Sequence, residues 1–526
     1  MQAAWFTREC CPACLDKPAF EAYKIPNVKP ASCARRPSSL ATLGRAVALG
    51  ACLSSHGLAN AAPGPWQYRL IDGSTLTDDC LCGRPAIQQS VRGSLQLRLL
   101  EENPLFSRYT VENIALSAGT PPGPHYLVTG HGTYQVGGEV AVTQDLTLEL
   151  QIDDGFTNRL CLLTNVSPAV NRLWPMLALS LDQSDKPVIQ FYRLDLFAAP
   201  FQEIWFSTAS GLTAGNWPPP TNTVSGGDLI SGTGRLVKRN QELTRGLGIM
   251  PMVPDLGLDA GDVLPGGEIA FSAEQDSASE TLGPLPHGDM LSNRGRVIHR
   301  NADLIRPFSP EPPAPDVGVD AAHVRDDGEV WFSTETDIFS EGLGVTVRRG
   351  DLLSSSGQIV KLNEDLIARF QPADPKQDYG LDALYVWPSG EIWFSVETGF
   401  VGPHFEPYAA GDLLSDQGYV VYRNLELTGA FAPIEDLADF GLDAVFVVTD
   451  AAPAATPPRV VSFSVDAKTG IVSIRWEGLG RAFLLEAASD ILGPWLPLGP
   501  ITPDLSLDWT PPPDRPPQSF LRVRQW

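Results

Sequence analysis

The chain has 526 residues, 43% of them hydrophobic, with 47 Pro, 48 Gly and a net charge of −24. That length leaves room for about three domains with buried cores, and the ordinary apolar fraction excludes a disordered chain. The acidity excludes nucleic acid and anionic membrane surfaces as partners, because both repel a polyanion.

In chain order, Arg35, Arg36 and Arg45 precede the apolar run Ala46-Val47-Ala48-Leu49-Gly50-Ala51-Cys52-Leu53, and Ala59-Asn60-Ala61 supplies small residues for cleavage. Residues 35–61 read as a secretory signal peptide cut after Ala61. Residues 1–34 lie upstream of a leader that should itself open the protein, so they read as a translation start placed too early. Leu49-Gly50-Ala51-Cys52 also has the form of a lipoprotein box, which would tether the protein through Cys52. The Cys10-Cys11-x-x-Cys14 cluster with Cys33 has no nearby His and is set aside as a zinc site. Cleavage removes seven Lys/Arg and three Asp/Glu, which takes the net charge from −24 to −28. No later stretch of 18 or more apolar residues follows, so the expected product is an exported monomer without a membrane span, in the periplasm, at the cell surface or secreted. Three cysteines stay in it, and a bridge from Cys161 to Cys80 or Cys82 is one way to pair them.

Residues 66–195 carry apolar alternation at Leu95, Leu97 and Leu99 and again at Leu146, Leu148, Leu150 and Ile152, with Gly-rich turns between. A period of two marks half-buried strands, and the unit is expected to be an antiparallel β-sandwich or barrel. His125 and His131 fit surface or turn positions there.

Between 196 and 450 the same punctuation returns four times. A Gly-φ-Asp-Ala element places its Asp at Asp259, Asp320, Asp382 and Asp443, in steps of 61, 62 and 61 residues, and a Gly-Asp-[Leu/Met] element at Gly227, Gly288, Gly350 and Gly411 keeps the same steps. Two independent patterns in one register define a repeat. The copy from Gly380 shows its content. A strand at Asp382-Ala383-Leu384-Tyr385-Val386 leads through the turn Pro388-Ser389-Gly390 into Glu391-Ile392-Trp393-Phe394-Ser395, then come the Gly-Asp-Leu-Leu-Ser strand and a fourth strand after Gly418. Four antiparallel strands per unit match one propeller blade. Each copy then carries Asn-x-[Glu/Asp]-Leu-x-x-x-[Phe/Leu], for which Asn capping a short helix is expected. Leu194-Asp195-Leu196 supplies one strand start too many, so either a terminal strand completes the first or last blade or one strand belongs to the neighbouring domain.

On these residues the tract resembles the hemopexin-type four-bladed β-propeller, and it is also similar to Leu-Asp-Ala, Phe-Ser-Thr-Glu and Gly-Asp-Leu-Leu repeats of secreted bacterial proteins. Hemopexin-type members hold a cation in the central channel through backbone groups of the innermost strands. The resemblance therefore implies that the strand starts Asp259-Ala260, Asp320-Ala321, Asp382-Ala383 and Asp443-Ala444 line a channel that holds Ca²⁺.

Residues 451–458 form a Pro/Ala linker. From 459 to 526, Ile471-Val472-Ser473-Ile474-Arg475-Trp476, Phe483-Leu484-Leu485-Glu486 and Phe520-Leu521-Arg522-Val523 resemble a fibronectin-III or immunoglobulin-like module. The fold class is thus all-β throughout.

Chemistry is sparse. Glu203, Glu268, Glu329 and Glu391 before the aromatic strand, Glu274, Glu335 and Glu397 after it, and Asp228, Asp289, Asp351 and Asp412 recur in register, and residues repeated by symmetry suit turn and hydrogen-bond roles better than an asymmetric active site. The Trp205, Trp331 and Trp393 series suits packing. No nucleophile elbow, zincin helix, P-loop or EF-hand pattern occurs in its required context. Loops that vary between repeats are the better place for binding, and they carry Trp217, Phe339, Phe400, Phe405 and Tyr408, aromatics suited to stacking on sugar or packing on protein. The expected function is a non-catalytic surface or extracellular protein that binds carbohydrate or protein. The rival expectations are a secreted polysaccharide-active enzyme with its site at the propeller mouth and a structural component of an extracellular matrix.

Overall fold

The computed structural model describes residues 64–138, 142–165, 174–184, 190–314, 316–452, 454, 456–466, 468–511 and 520–526. The expected leader, with Cys52 and the cleavage site, lies outside the described residues. The described part is all-β apart from short helical turns.

Nine strands come first: β1 (Trp66–Leu70), β2 (Thr75–Cys80), β3 (Ile87–Glu102), β4 (Phe106–Ala118), β5 (Tyr126–Gly137), β6 (Thr143–Asp153), β7 (Asn158–Asn165), β8 (Leu177–Gln183) and β9 (Gln190–Phe206). Each from β3 to β8 pairs antiparallel with the next, and β1 and β2 both bridge β9 back to β3, so the pairing path returns to its start. The alternating residues Leu95, Leu97, Leu146, Leu148, Leu150 and Ile152 all face the interior and are buried. Cys80 and Cys82 bridge each other across a turn with their Cα atoms 5.2 Å apart, within ordinary disulfide reach. Of the pairings open to the three cysteines the structure takes this one, and Cys161 sits buried in β7 opposite Leu150, outside that pair.

The boundary expected after Asp195 falls inside β9. Its early residues pair with β2 and β8, while Phe201–Phe206 continue without a break into the first of four repeated sheets. Each of those sheets has four antiparallel strands in sequential order: Gly261–Leu264, Glu268–Phe271, Met290–Ser292 and Arg296–His299 in the second, Ala322–Val324, Val330–Phe332, Leu352–Ser354 and Gln358–Lys361 in the third, Leu384–Val386, Ile392–Phe394, Leu413–Ser415 and Tyr419–Tyr422 in the fourth. The first sheet takes its innermost strand from the far end of the tract, because Val445–Thr449 pairs with the end of β9, which in turn pairs with Leu229–Ser231. The surplus strand start is thereby accounted for: Asp195 stays with the N-terminal strands, and the terminal strand completes the first sheet.

The four innermost strands touch one another cyclically. A ring of side-chain bonds follows the same circuit, in which Ser207, Ser272, Ser333 and Ser395 each donate Oγ to the carbonyl of Leu258, Val319, Leu381 and Leu442 in the next sheet, at 3.2, 2.8, 2.7 and 2.6 Å. Trp205 and Trp393 are both fully buried, Trp393 edge-on to Phe201 of the first sheet and Trp205 against Phe446 of its own sheet, and burying a side chain of that size contributes roughly 3 kcal/mol.

Helices α1 (Asn240–Thr244), α2 (Asn301–Ile305), α3 (Asn363–Ile367) and α4 (Asn424–Thr428) follow the four sheets. The expected capping by Asn is not what the structure has. Each Asn is the first helical residue, its backbone N–H donates to Asp228, Asp289, Asp351 or Asp412, and its amide is buried. In α2, Asn301 Nδ2 donates to the carbonyls of Gly288 and Gly318 at 3.3 and 3.0 Å, and Oδ1 accepts from Val317 N–H at 3.0 Å. The amide thus ties one sheet's loop to the strand start of the next. Asn301→Ala leaves those three backbone groups buried without partners, so urea unfolding is expected to show a loss of about 3 kcal/mol. A change below about 0.5 kcal/mol would mean that the loops do not depend on the hub.

The C-terminal module has two three-stranded sheets, with Arg459–Val465, Val472–Glu477 and Ser506–Trp509 in one and Leu496–Pro497, Phe483–Ala488 and Phe520–Gln525 in the other, over a core that includes Trp476 and Phe483. It is docked, not tethered at a distance. Gly266 donates to Gly480 O at 2.8 Å, Lys238 pairs with Asp504 at 2.8 Å, and a Cβ at Gly267 would sit 1.7 Å from Pro503 O. Asp450 accepts from Trp526 Nε1 and Arg524 on one oxygen and from Gln202 Nε2 and the Gln67 N–H on the other, at 2.8, 2.6, 2.7 and 3.0 Å. One carboxylate therefore joins the N-terminal strands, the first repeated sheet and the C-terminal module.

Candidate functional site

The repeated tract gathers its acids at one end of the innermost strands. Asp259, Asp320 and Asp443 are 8%, 6% and 4% exposed, and Asp382 is partly buried; the neighbouring Ala260, Ala321, Ala383 and Ala444 are buried beneath them. Burial, and then the charges of the surrounding acids, hold all four carboxyls well above the ordinary Asp range. Asp382 is opposed by Asp443 and Glu397, Asp443 by Asp259 and Glu274, and Asp320 by Asp382 and Asp259. Oδ2 of Asp259, of Asp320 and of Asp443 is buried and receives no hydrogen bond from backbone N–H, hydroxyl, amide or basic groups. The carboxyl of Glu335 lies against Asp259 and that of Glu397 against Asp320.

Glu274, Glu335 and Glu397 complete the mouth. Each folds over the Gly of its own Gly-φ-Asp element. Gly318 shows why no side chain is tolerated there: its φ is +76° and a Cβ would lie 2.3 Å from the Glu335 carboxyl. The fourth copy differs, because Ala209 occupies the place of Glu and faces Gly441. A second ring sits behind the first, where Asp255, Asp316, Asp378 and Asp439 each accept from two backbone N–H groups, as Asp316 does from Gly318 at 3.0 Å and Gly288 at 3.2 Å. These carboxylates are hydrogen-bonded fixtures of the loops.

Two basic side chains reach the mouth. Arg349 pairs with Glu397, and His287 Nε2 lies 3.6 Å from Glu335. Burial disfavours the charged form of His287, but its hydrogen bond with Asp276 and the charges of Glu335 and Asp316 outweigh that and leave its pKa raised. His287 Nδ1 is 2.8 Å from Asp276 and 3.7 Å from Asp316, and among the described residues this is the one trio of His, Cys, Asp or Glu whose ligand atoms all lie within 4.8 Å of one another. The carboxylates of the ring stand farther apart, so a cation shared among them binds through its water shell or draws them inward.

At the other end of the same strands the position three residues past each ring Asp differs in every repeat: Asp262, His323, Tyr385 and Phe446. Asp262 accepts from Val324 N–H at 2.8 Å, His323 packs edge-on to Tyr385, and Tyr385 edge-on to Phe446. Burial lowers the His323 pKa against the pull of Asp262. Arg481 of the C-terminal module closes this end, donating to Val263 O at 2.8 Å and to Asp326 at 2.9 Å.

The aromatics expected on variable loops divide by exposure. Phe400 and Tyr408 are buried, stacked at 4.8 Å and packed on Phe370, and Trp217 is partly buried against Phe431. Phe339 is 46% and Phe405 91% exposed. His125 bonds Ser117 and His131 lies 3.5 Å from Glu149, away from the ring. The carboxylates before the aromatic strands hold sheet hydrogen bonds, as Glu391 does with Ser415 Oγ at 2.6 Å and Trp393 Nε1 at 3.1 Å.

No protein-family model and no curated protein matches the chain. Among solved structures, two crystal structures of the extracellular domain of BT4673 from B. thetaiotaomicron show a faint likeness. One has 9% identity over 82% of this chain and 78% of that chain at a TM-score of 0.20, the other 8% over 85% and 94% at 0.18. Likeness at that level bears on neither fold nor activity. Among the described residues no helix is long and apolar enough to cross a membrane.

Proposed function

We propose that the four repeated sheets are the blades of a four-bladed β-propeller and that the protein is an exported, non-catalytic binding protein that holds Ca²⁺ at the acidic mouth of its channel. The observation that carries this reading is the buried Oδ2 of Asp443, which has no donor, in a ring of seven acids reached by only two basic side chains, Arg349 and His287. A buried carboxylate without a partner is costly, and a bound cation is the partner that removes the cost. Carbohydrate or protein is the ligand class that suits a polyanion with exposed loop aromatics.

The test is depletion of the protein from solution by a panel of insoluble polysaccharides, with calcium and with chelator, while the supernatants are assayed for reducing ends. Calcium-dependent depletion without release supports the reading; equal results with and without calcium would remove the ion from it. The enzyme reading has one observation in its favour, the adjacent carboxyls of Asp259 and Glu335 and of Asp320 and Glu397, since hydrolysis by acid and base uses two neighbouring carboxyls. Release of reducing ends would assign those pairs.

Phe405, the most exposed of the loop aromatics, separates binding from stability. Phe405→Ala is expected to weaken retention on a depleting polysaccharide while unfolding stays within about 0.5 kcal/mol of wild type. Unchanged retention would take that loop out of the binding surface.

A further inference from the structure

Two loop positions beside the mouth set the copies apart. The position four residues past Ser207, Ser272, Ser333 and Ser395 is Gly211, Asp276, Asp337 and Gly399, and the position before the Gly-Asp element is Gly226, His287, Arg349 and Ala410. Acid and base thus occur together, in the second and third copies alone. In both, the backbone N–H of the base donates to that Asp, at 2.9 Å from His287 and 3.0 Å from Arg349, so the two loops close in the same way. The side chains then diverge. Arg349 reaches on to Glu397, whereas the shorter His287 leaves Nδ1 2.8 Å from Asp276 and 3.7 Å from Asp316. The second copy alone sets an imidazole nitrogen between two carboxylates.

We propose that Asp276, His287 and Asp316 bind a divalent transition ion of the Zn²⁺ class, at a site distinct from the Ca²⁺ of the ring and not dependent on it. One nitrogen with two carboxylate oxygens is a donor set that Zn²⁺ takes, whereas Ca²⁺ takes oxygen throughout. Ligands about 2 Å from a tetrahedral ion stand about 3.3 Å apart, and the two separations at His287 Nδ1 fall on either side of that value. All three ligand atoms lie within 4.8 Å of one another. Asp316 is held in place by the N–H groups of Gly318 and Gly288, while the Asp276 side chain is 75% exposed, so one carboxylate is fixed in advance and the other is free to close on the ion. Beyond the imidazole, Glu335 Oε1 is 3.6 Å from Nε2, on the side where a metal-bound histidine keeps its orienting carboxylate. Three protein ligands leave a fourth position for water or for an atom of a bound molecule.

The test is calorimetric titration of the untagged full chain with Zn²⁺ in excess Ca²⁺, with Co²⁺ as a spectroscopic probe of the same site. Wild type is expected to take up Zn²⁺, and Co²⁺ to give the intense visible bands of a four-coordinate ion. His287→Arg copies the third repeat, which keeps a base in the loop and removes the ligand atom. It is expected to fold, as melting curves will show, and to lose the ion. Asp276→Asn, at an exposed position, should lose it too, while Asp337→Asn in the third copy should bind as wild type does. If wild type takes up no Zn²⁺, or if either His287→Arg or Asp276→Asn binds it unchanged, His287 is only a counter-ion to the acids around it, as Arg349 is, and the metal site falls. Failure of Ca²⁺ to bind the ring would leave these outcomes as they are.

Discussion

Calcium is expected to raise the melting temperature of the full chain, and by more at pH 8 than at pH 5. The four ring Asp carboxyls have their folded-state pKa raised, first by burial and then by one another. A carboxyl raised on folding binds its proton more tightly in the folded state. Its contribution to stability is therefore complete below the unfolded value of about 3.9 and is lost as pH rises through the folded pKa. Without an ion the protein should weaken from mildly acidic pH upward, as protons that hold the ring together leave. The ion replaces them, so its effect grows over the same interval. At a free concentration one hundred times its Kd the linkage is worth about 2.7 kcal/mol. The measurement is the melting difference between calcium and chelator at each pH, which cancels titrations elsewhere in the chain. Asp443→Asn removes one charge and should raise the melting temperature in chelator while shrinking the calcium increment. An increment that is absent, or equal at the two pH values, would remove the ring as the cation site.

The second large effect is expected at Asp450. Its carboxylate is the acceptor for Trp526, Arg524, Gln202 and Gln67, groups drawn from the three structural units. Asp450→Ala leaves the buried indole N–H and a guanidinium without their acceptor, a loss on the order of 3–5 kcal/mol for breaking a buried charged pair. Because Trp526 is the last residue and is buried, the module should loosen at that end. Limited proteolysis should then cut between 451 and 458 in the variant and leave wild type intact. Equal cleavage of the two would mean that the docked surface at Gly266, Gly267 and Lys238 holds the module without the Asp450 junction.

Period was the feature that made the repeats legible. Copies spaced by 61 and 62 residues let one clear sheet, around Trp393, interpret three others, and the ring Asp positions emerged from the same alignment. The mouth was harder to read. Glu335 belongs to one sheet and Asp259 to the one before it, so their meeting depends on how sheets are arrayed around the axis and not on any local pattern. The signal that could have revealed it was the exception, Ala209 where three copies have Glu. The Asn residues misled because the cap rule looks only at the helix they begin, whereas Asn301 reaches loops on two sheets. Docking of the C-terminal module through Arg481, and the pairing of Cys80 with Cys82, have no periodic signature at all. The twin character of β9 was hidden for a similar reason, since a strand that serves two sheets reads as one strand.

The partner that completes the first sheet, Val445–Thr449, is made long after β9 has left the ribosome. Until then the end of β9 presents an open edge, and the ring cannot be complete in any chain cut short before residue 445. Contacts this distant in sequence form late, and unpaired edges invite association. A stop codon in the fourth repeat should therefore yield an aggregating product, not a smaller working one.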